Sequence, residues 1–244
     1  MGTLILLPAC NNATYTESIS YTNSSSPQLS IIPATTETEP QGLQLSDALK
    51  SNCEPNQEET RNSFRNVGLE VGTIAVDFTL SDTNGNEITL SELLSVKPVA
   101  MVFGSFTWPP FRRSCAANNE LYAKYGDDIN FIIVYIIEPH PVGSESPYSN
   151  KEWPLAYSED KDGNPITQPL TYEERLAMAQ KTIVEQGINV TMLVDEIDNP
   201  VWCTYGQAPN IAYLIGIDGT IIAKQDWYNP DKMEELILAC IING

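Results

Sequence analysis

The 244-residue sequence has one histidine, His140, and only 13 lysines and arginines against 32 aspartates and glutamates, a formal charge of −19. So acidic a chain repels phosphate backbones and anionic bilayer surfaces, which excludes nucleic acid as a partner. The excess of acid reads as a solvated surface suited to solubility rather than as a cation-binding device. Cysteine is also sparse, and its five copies, Cys10, Cys53, Cys115, Cys203 and Cys240, lie far apart. With a single histidine, no metal-ligand spacing forms and no metal is expected.

What is present divides the chain into four parts. Residues 1–10 end in Leu7-Pro8-Ala9-Cys10, an apolar stretch closing on a small residue and a cysteine, as in a bacterial lipobox. Cys10 is then the lipidated residue and the protein is exported to the cell envelope, although the basic n-region of a signal peptide is lacking. Residues 11–42 are rich in Ser, Thr, Asn, Pro and Glu, with too few large apolar groups to offset the entropy of ordering, and read as a tether. Leu45, Leu49 and Cys53 at helical spacing predict a leading helix within 43–66. Residues 67–244 suffice for one well-packed domain. Export places the domain where disulfides persist. Setting Cys10 aside leaves four cysteines with three pairings, all open at this stage.

Within that domain, Val76–Leu80 and Glu87–Leu90 flank the turn-rich Asp82-Thr83-Asn84-Gly85-Asn86 and predict a hairpin. Val99–Phe103 is a short continuous apolar run, as expected of a strand buried on both faces. Pro109 and Pro110 open a helix to about Tyr125, because proline is tolerated in the first helical turn. A strand over Phe131–Ile137, a helix over Tyr172–Glu185 and a strand over Thr191–Val194 follow. A closing hairpin around Asp218-Gly219 and a terminal helix over Met233–Ile242 complete the pattern. Strands alternating with helices imply a sheet with a parallel core. The final hairpin and helix narrow the fold class to α/β, a thioredoxin-like (redoxin) three-layer α/β/α sandwich with an N-terminal β-hairpin extension. In that class a proline, commonly cis, precedes the closing hairpin and faces the active turn, and Pro209 stands in that place.

The junction of the first central strand with its helix reads Phe103-Gly104-Ser105-Phe106-Thr107-Trp108-Pro109-Pro110-Phe111-Arg112-Arg113. A second block, Tyr135-Ile136-Ile137-Glu138-Pro139-His140-Pro141, contains the chain's one histidine. Tyr172-Glu173-Glu174-Arg175 and the segment from Tyr205-Gly206 through Pro209 to Tyr213-Leu214-Ile215 follow in order. These blocks resemble the iodothyronine deiodinase family, in which selenocysteine, or cysteine in bacterial relatives, lies between that threonine and the two prolines. The resemblance implies reductive chemistry by a chalcogenolate at position 108 that attacks a halogen or a sulfur and is regenerated by a thiol reductant, with no other cofactor. It gives His140, with Glu138 nearby, the role of proton donor, and makes Thr107, Pro109, Phe111 and Pro209 the cleft.

The departures from the family are as informative as the matches. Trp108 has no ionisable group and cannot act as the nucleophile. Phe106 and Phe111 stand where a neighbouring or resolving cysteine could have rescued redox chemistry, so no C-x-x-C survives. Pro169 stands where the animal enzymes carry a second histidine, and Asn210 and Ile211 replace an acidic residue and an arginine. Selenocysteine is encoded by UGA, and a translation that reads UGA as a sense codon writes tryptophan; a single base change from a cysteine codon also gives a true tryptophan. The first reading is therefore a reductive enzyme whose nucleophile is hidden by decoding. The second is a silent relative that binds a small aromatic ligand or a protein partner in the former cleft. A third uses Cys115 or Cys203 as a thiol, with Cys115 otherwise a buried thiol or paired with a cysteine such as Cys203. Arg112 and Arg113 read as surface arginines. The expected partners are a small molecule or a thiol protein and a second copy of the chain in a homodimer, with the membrane reached only through the lipid anchor.

Overall fold

The computed structural model describes residues 67–149 and 151–243. The expected lipobox at Cys10, the tether and the leading helix with Cys53 lie outside the described residues. Seven strands form one sheet: β1 (Thr79–Asp82), β2 (Glu87–Thr89), β3 (Val99–Gly104), β4 (Asn130–Tyr135), β5 (Thr191–Val194), β6 (Ala212–Ile215) and β7 (Ile221–Gln225). Their order is β2-β1-β5-β4-β3-β6-β7. β3, β4 and β5 run parallel, while β1 pairs with β5, and β6 with β3, antiparallel. The predicted parallel core, N-terminal hairpin and closing hairpin are therefore all present, in a thioredoxin-like arrangement.

Among the described residues five helices cover the sheet: α1 (Leu90–Leu94), α2 (Pro109–Tyr125), α3 (Tyr172–Gln186), α4 (Pro200–Tyr205) and α5 (Pro230–Asn243). Because successive side chains in a strand point to opposite faces, Ala100 and Val102 of β3 pack with Phe111, Ala179 and Ile237 of α2, α3 and α5. Val99, Met101 and Phe103 pack with Leu94, Trp202 and Tyr205 of α1 and α4. Every residue of β3 is buried, and each large apolar side chain removed from water contributes about 1.5–3 kcal/mol. Gly104 ends β3 because a Cβ there would lie 2.1 Å from the Phe111 ring; its absence lets α2 sit close over the strand end.

Two sequence expectations are corrected. No cis peptide bond occurs among the described residues, so the bond preceding Pro209 is trans. Cys203 and Cys240 are each disulfide-bonded, whereas Cys115 is a free, buried thiol. Cys115 and Cys203 therefore do not pair, and the four cysteines left after Cys10 do not form two bridges among themselves.

Candidate active site

In the parallel core Gly104 is in register with Tyr135, and Tyr135 with Val194. The strand ends thus bring the Ser105–Trp108 turn, the Ile136–His140 segment and Asp195 to one edge of the sheet, the edge where open α/β folds place their sites. The Pro209 segment joins them, since Phe103 N donates to Ile211 O at 2.9 Å and Pro209 is buried.

Trp108 is the N-cap residue of α2 and makes no side-chain capping bond, while Pro109 and Pro110 fill the first helical turn. Two of the N–H groups a helix start normally leaves free are thereby absent. The helix can support negative charge at residue 108 through its dipole more than through direct donation.

The turn itself is held by Glu138. This fully buried carboxylate accepts Phe106 N at 3.2 Å, Thr107 N at 2.7 Å and the Thr107 hydroxyl at 2.7 Å, together with the Tyr135 hydroxyl. Burial pushes its carboxyl above the ordinary range, and the Tyr135 and Thr107 donors pull it partly back. Glu138 is fixed in turn by Gln168, whose amide accepts from its N–H at 2.9 Å and donates to its carbonyl at 3.0 Å. The Thr107 oxygen also accepts from His140 N at 3.1 Å, so one line of bonds runs from Tyr135 through Glu138 and Thr107 to His140. Glu138 is therefore a buried anchor, not a solvated strand-end carboxylate.

His140 is 1% exposed, and burial lowers its pKa below the ordinary imidazole value. Its Nδ1 lies 2.9 Å from the Trp153 carbonyl. A carbonyl can only accept, so the neutral ring carries its proton on Nδ1 and its Nε2 is a lone pair. That Nε2 is buried without a partner, as is the indole Nε1 of Trp108. The Trp108 and His140 rings stack at 5.5 Å and 14°, Trp227 lies 5.5 Å from Trp108, and Trp153 meets the His140 ring edge-on at 4.6 Å.

Phe111 is buried beneath the strand end, Pro109 is half-buried, and Asn210, beside Pro209, has a buried Oδ1 without a partner. Arg113 is exposed, whereas Arg112 is half-buried against aromatic rings. Cys115 donates to the Phe111 carbonyl, and burial pushes its thiol up to about 12. Sequence reasoning did not find Gln168, Trp153 or Trp227; Tyr135 had one usable signal, its place three residues before Glu138.

The iodothyronine deiodinase family model matches residues 73–234. The chain belongs to the iodothyronine deiodinase family. Curated relatives of this deiodinase-family chain include thyroxine 5-deiodinase of sheep, 31% identical over 157 residues, covering 62% of this chain and 47% of that protein. Type I iodothyronine deiodinase of Xenopus laevis is 28% identical over 145 residues, covering 58% of this chain and 52% of that protein. The chain thus spans about half the length of the curated relatives it matches. Among solved structures, peroxidoxin BcpB from Mycobacterium tuberculosis is 15% identical with a TM-score of 0.47, covering 71% of this chain and 97% of that one.

Proposed function

We propose that this deiodinase-family fold carries out thiol-dependent reductive chemistry with a chalcogenolate at position 108, native selenocysteine being written here as tryptophan. The observation that carries the reading is the mismatch at that position. Around it the Tyr135–Glu138–Thr107 frame has its hydrogen bonds filled, while the Trp108 indole Nε1–H and the His140 Nε2 beside it are both buried without partners. Buried polar groups are ordinarily satisfied; a small chalcogen side chain would remove the first orphan and give the second its partner.

The His140 tautomer sets the proton's path. Nε2 takes the proton of the residue-108 selenol or thiol, leaving the chalcogenolate, which attacks halogen on an aryl halide. A chalcogen–halogen bond forms as the carbon–halogen bond breaks, and the carbon takes the proton from His140. One thiol displaces halide to give a mixed chalcogen–sulfur bond, and a second thiol releases the chalcogenolate and a disulfide. A desolvated imidazolium gives up its proton readily, and general-acid help of this kind is worth about 10²–10⁴-fold.

Cys115 and Cys203 are poor substitutes as nucleophiles, one a buried thiol with its pKa near 12 and the other disulfide-bonded. Two disulfide-bonded cysteines also support an oxidising compartment and hence an exported protein. The rings of Trp108, Trp153 and Trp227 favour the second reading, a silent relative that holds a planar aromatic or a protein partner.

Sequencing codon 108 and mass analysis of the natively expressed peptide decide the identity of the residue. In parallel, Trp108→Cys should turn over an iodinated phenol with dithiothreitol, and adding His140→Gln should lower that rate by about 10²-fold or more. A UGG codon together with an inert Trp108→Cys protein would leave the binding role.

A further inference from the structure

Arg112 lies one turn of helix after Trp108 and reads in the sequence as a surface side chain. In the structure its guanidinium carbon lies 4.4 Å from the centroid of the Phe106 ring and 4.9 Å from that of Tyr157. The Gln186 amide oxygen, turned to face it, accepts from Nη2 at 3.1 Å and Nε at 3.3 Å. One cation thus joins the active turn, the C-terminal end of α3 and the long segment between β4 and α3.

That segment also holds His140. Ser158, next to Tyr157, donates its hydroxyl to the His140 carbonyl at 2.6 Å and accepts Leu155 N at 2.8 Å. The Trp153 carbonyl receives the His140 Nδ1 proton at 2.9 Å. Residues 151–156 are all exposed, so the stretch has little burial of its own to keep it in place. Glu152 Oε1 and Lys151 O tie its start to Gly143 N at 2.7 Å and Ser146 N at 3.1 Å; beyond Trp153 its anchors are Ser158 and Tyr157, whose ring and carbonyl Arg112 grips.

We propose that Arg112 is a positioning residue: by gripping Tyr157 it holds the Trp153–Ser158 stretch against His140 and so fixes the imidazole as the Nδ1–H tautomer with a free Nε2 lone pair. A planar guanidinium can stack between two rings and donate in its own plane at the same time, which a lysine ammonium cannot. The groups in contact with His140 are the Trp108 and Trp153 rings, the Trp153 carbonyl and the Thr107 and Ser158 hydroxyls, while the Glu138 carboxylate is engaged by Phe106, Thr107 and Tyr135. The Nδ1 partner that sets the tautomer is thus a neutral carbonyl.

The inference rests on the reading of His140 as the proton carrier, yet its test needs no turnover and uses the full chain with tryptophan at 108. Because His140 is the only histidine, protein labelled with ¹⁵N-histidine gives one pair of ring nitrogens whose shifts report the tautomer above the imidazole pKa. The unaltered chain should show a protonated Nδ1 and a lone-pair Nε2. Arg112→Met should move both shifts toward the averaged pattern of a free imidazole, in which the Nε2–H form dominates, while the amide resonances of β3 to β6 stay in place. Tyr157→Leu loosens the same grip without touching α2 and should have the same effect, covering the case in which Arg112→Met fails to fold. Tyr157→Phe keeps ring and carbonyl and should leave the shifts unaltered. A folded Arg112→Met or Tyr157→Leu protein with unaltered ring shifts would overturn the proposal, whatever a redox assay shows.

Discussion

A carboxylate that accepts two backbone N–H groups, the Thr107 hydroxyl and the Tyr135 hydroxyl cannot become an amide without setting donor against donor. Glu138→Gln leaves at least one buried donor facing an NH₂ group, at about 1–3 kcal/mol for each unsatisfied group. The expected loss is about 2–4 kcal/mol, seen as a lower urea midpoint at unchanged m-value. A loss below about 0.5 kcal/mol would mean that the turn is held by other contacts. Thr107, Glu138 and His140 were legible because they fall in blocks that resemble a family. Trp153, Trp227, Tyr157 and Gln168 were not, since they reach the site from irregular backbone, where no periodicity ties a residue to its neighbours in space.

The elements differ in how they are terminated, and this governs how well each could be read. α3 has both ends written in sequence. Thr171 and Glu174 form a reciprocal capping box, and Gly187 closes the helix in the left-handed region at φ 62°. Thr171→Ala should therefore cost about 1 kcal/mol, measurable by chemical denaturation, and should weaken the start of the helix that carries Arg175. α4 is harder to see. It spans six residues, too few for a helical period to show, and its first turn is held from a distance by Asp195, which accepts Val201 N at 3.2 Å and Trp202 N at 2.9 Å. The five-residue α1 escaped notice for the same reason. The first strand was expected from Val76, but Asp77 directs its side chain to Phe78 N and Ser91 N, so regular pairing begins only at Thr79.

For the molecule as a whole, two buried titratable groups pull stability in opposite directions with pH. Burial pushes Asp195 up to about 7 despite its backbone donors and Arg175, whereas in an unfolded chain it ionises near about 3.9. Between those values the folded state binds the extra proton, so this contribution is full at low pH and is lost as pH rises toward 7. His140 has the reverse sign, because its folded pKa is lowered: its contribution is present above the unfolded value of about 6.5 and is lost as pH falls below it. Asp195→Asn removes the first effect alone and should shrink the fall in unfolding free energy between about pH 4 and pH 8 by on the order of a few kcal/mol. Urea titrations at both ends of that range provide the check, and an undiminished difference would assign the effect to another group. The aromatic stack at the strand ends has an optical side. Of the chain's four tryptophans, Trp108, Trp153 and Trp227 belong to the ring cluster around His140, while Trp202 is buried beneath the opposite face with its N–H bound to the Ala208 carbonyl. Three chromophores in contact with one titrating imidazole, or with its stacked neighbour, make the emission of this molecule largely a signal from its candidate-site edge, so that protonation, occupancy or loosening of that edge registers as a change in light without any added label.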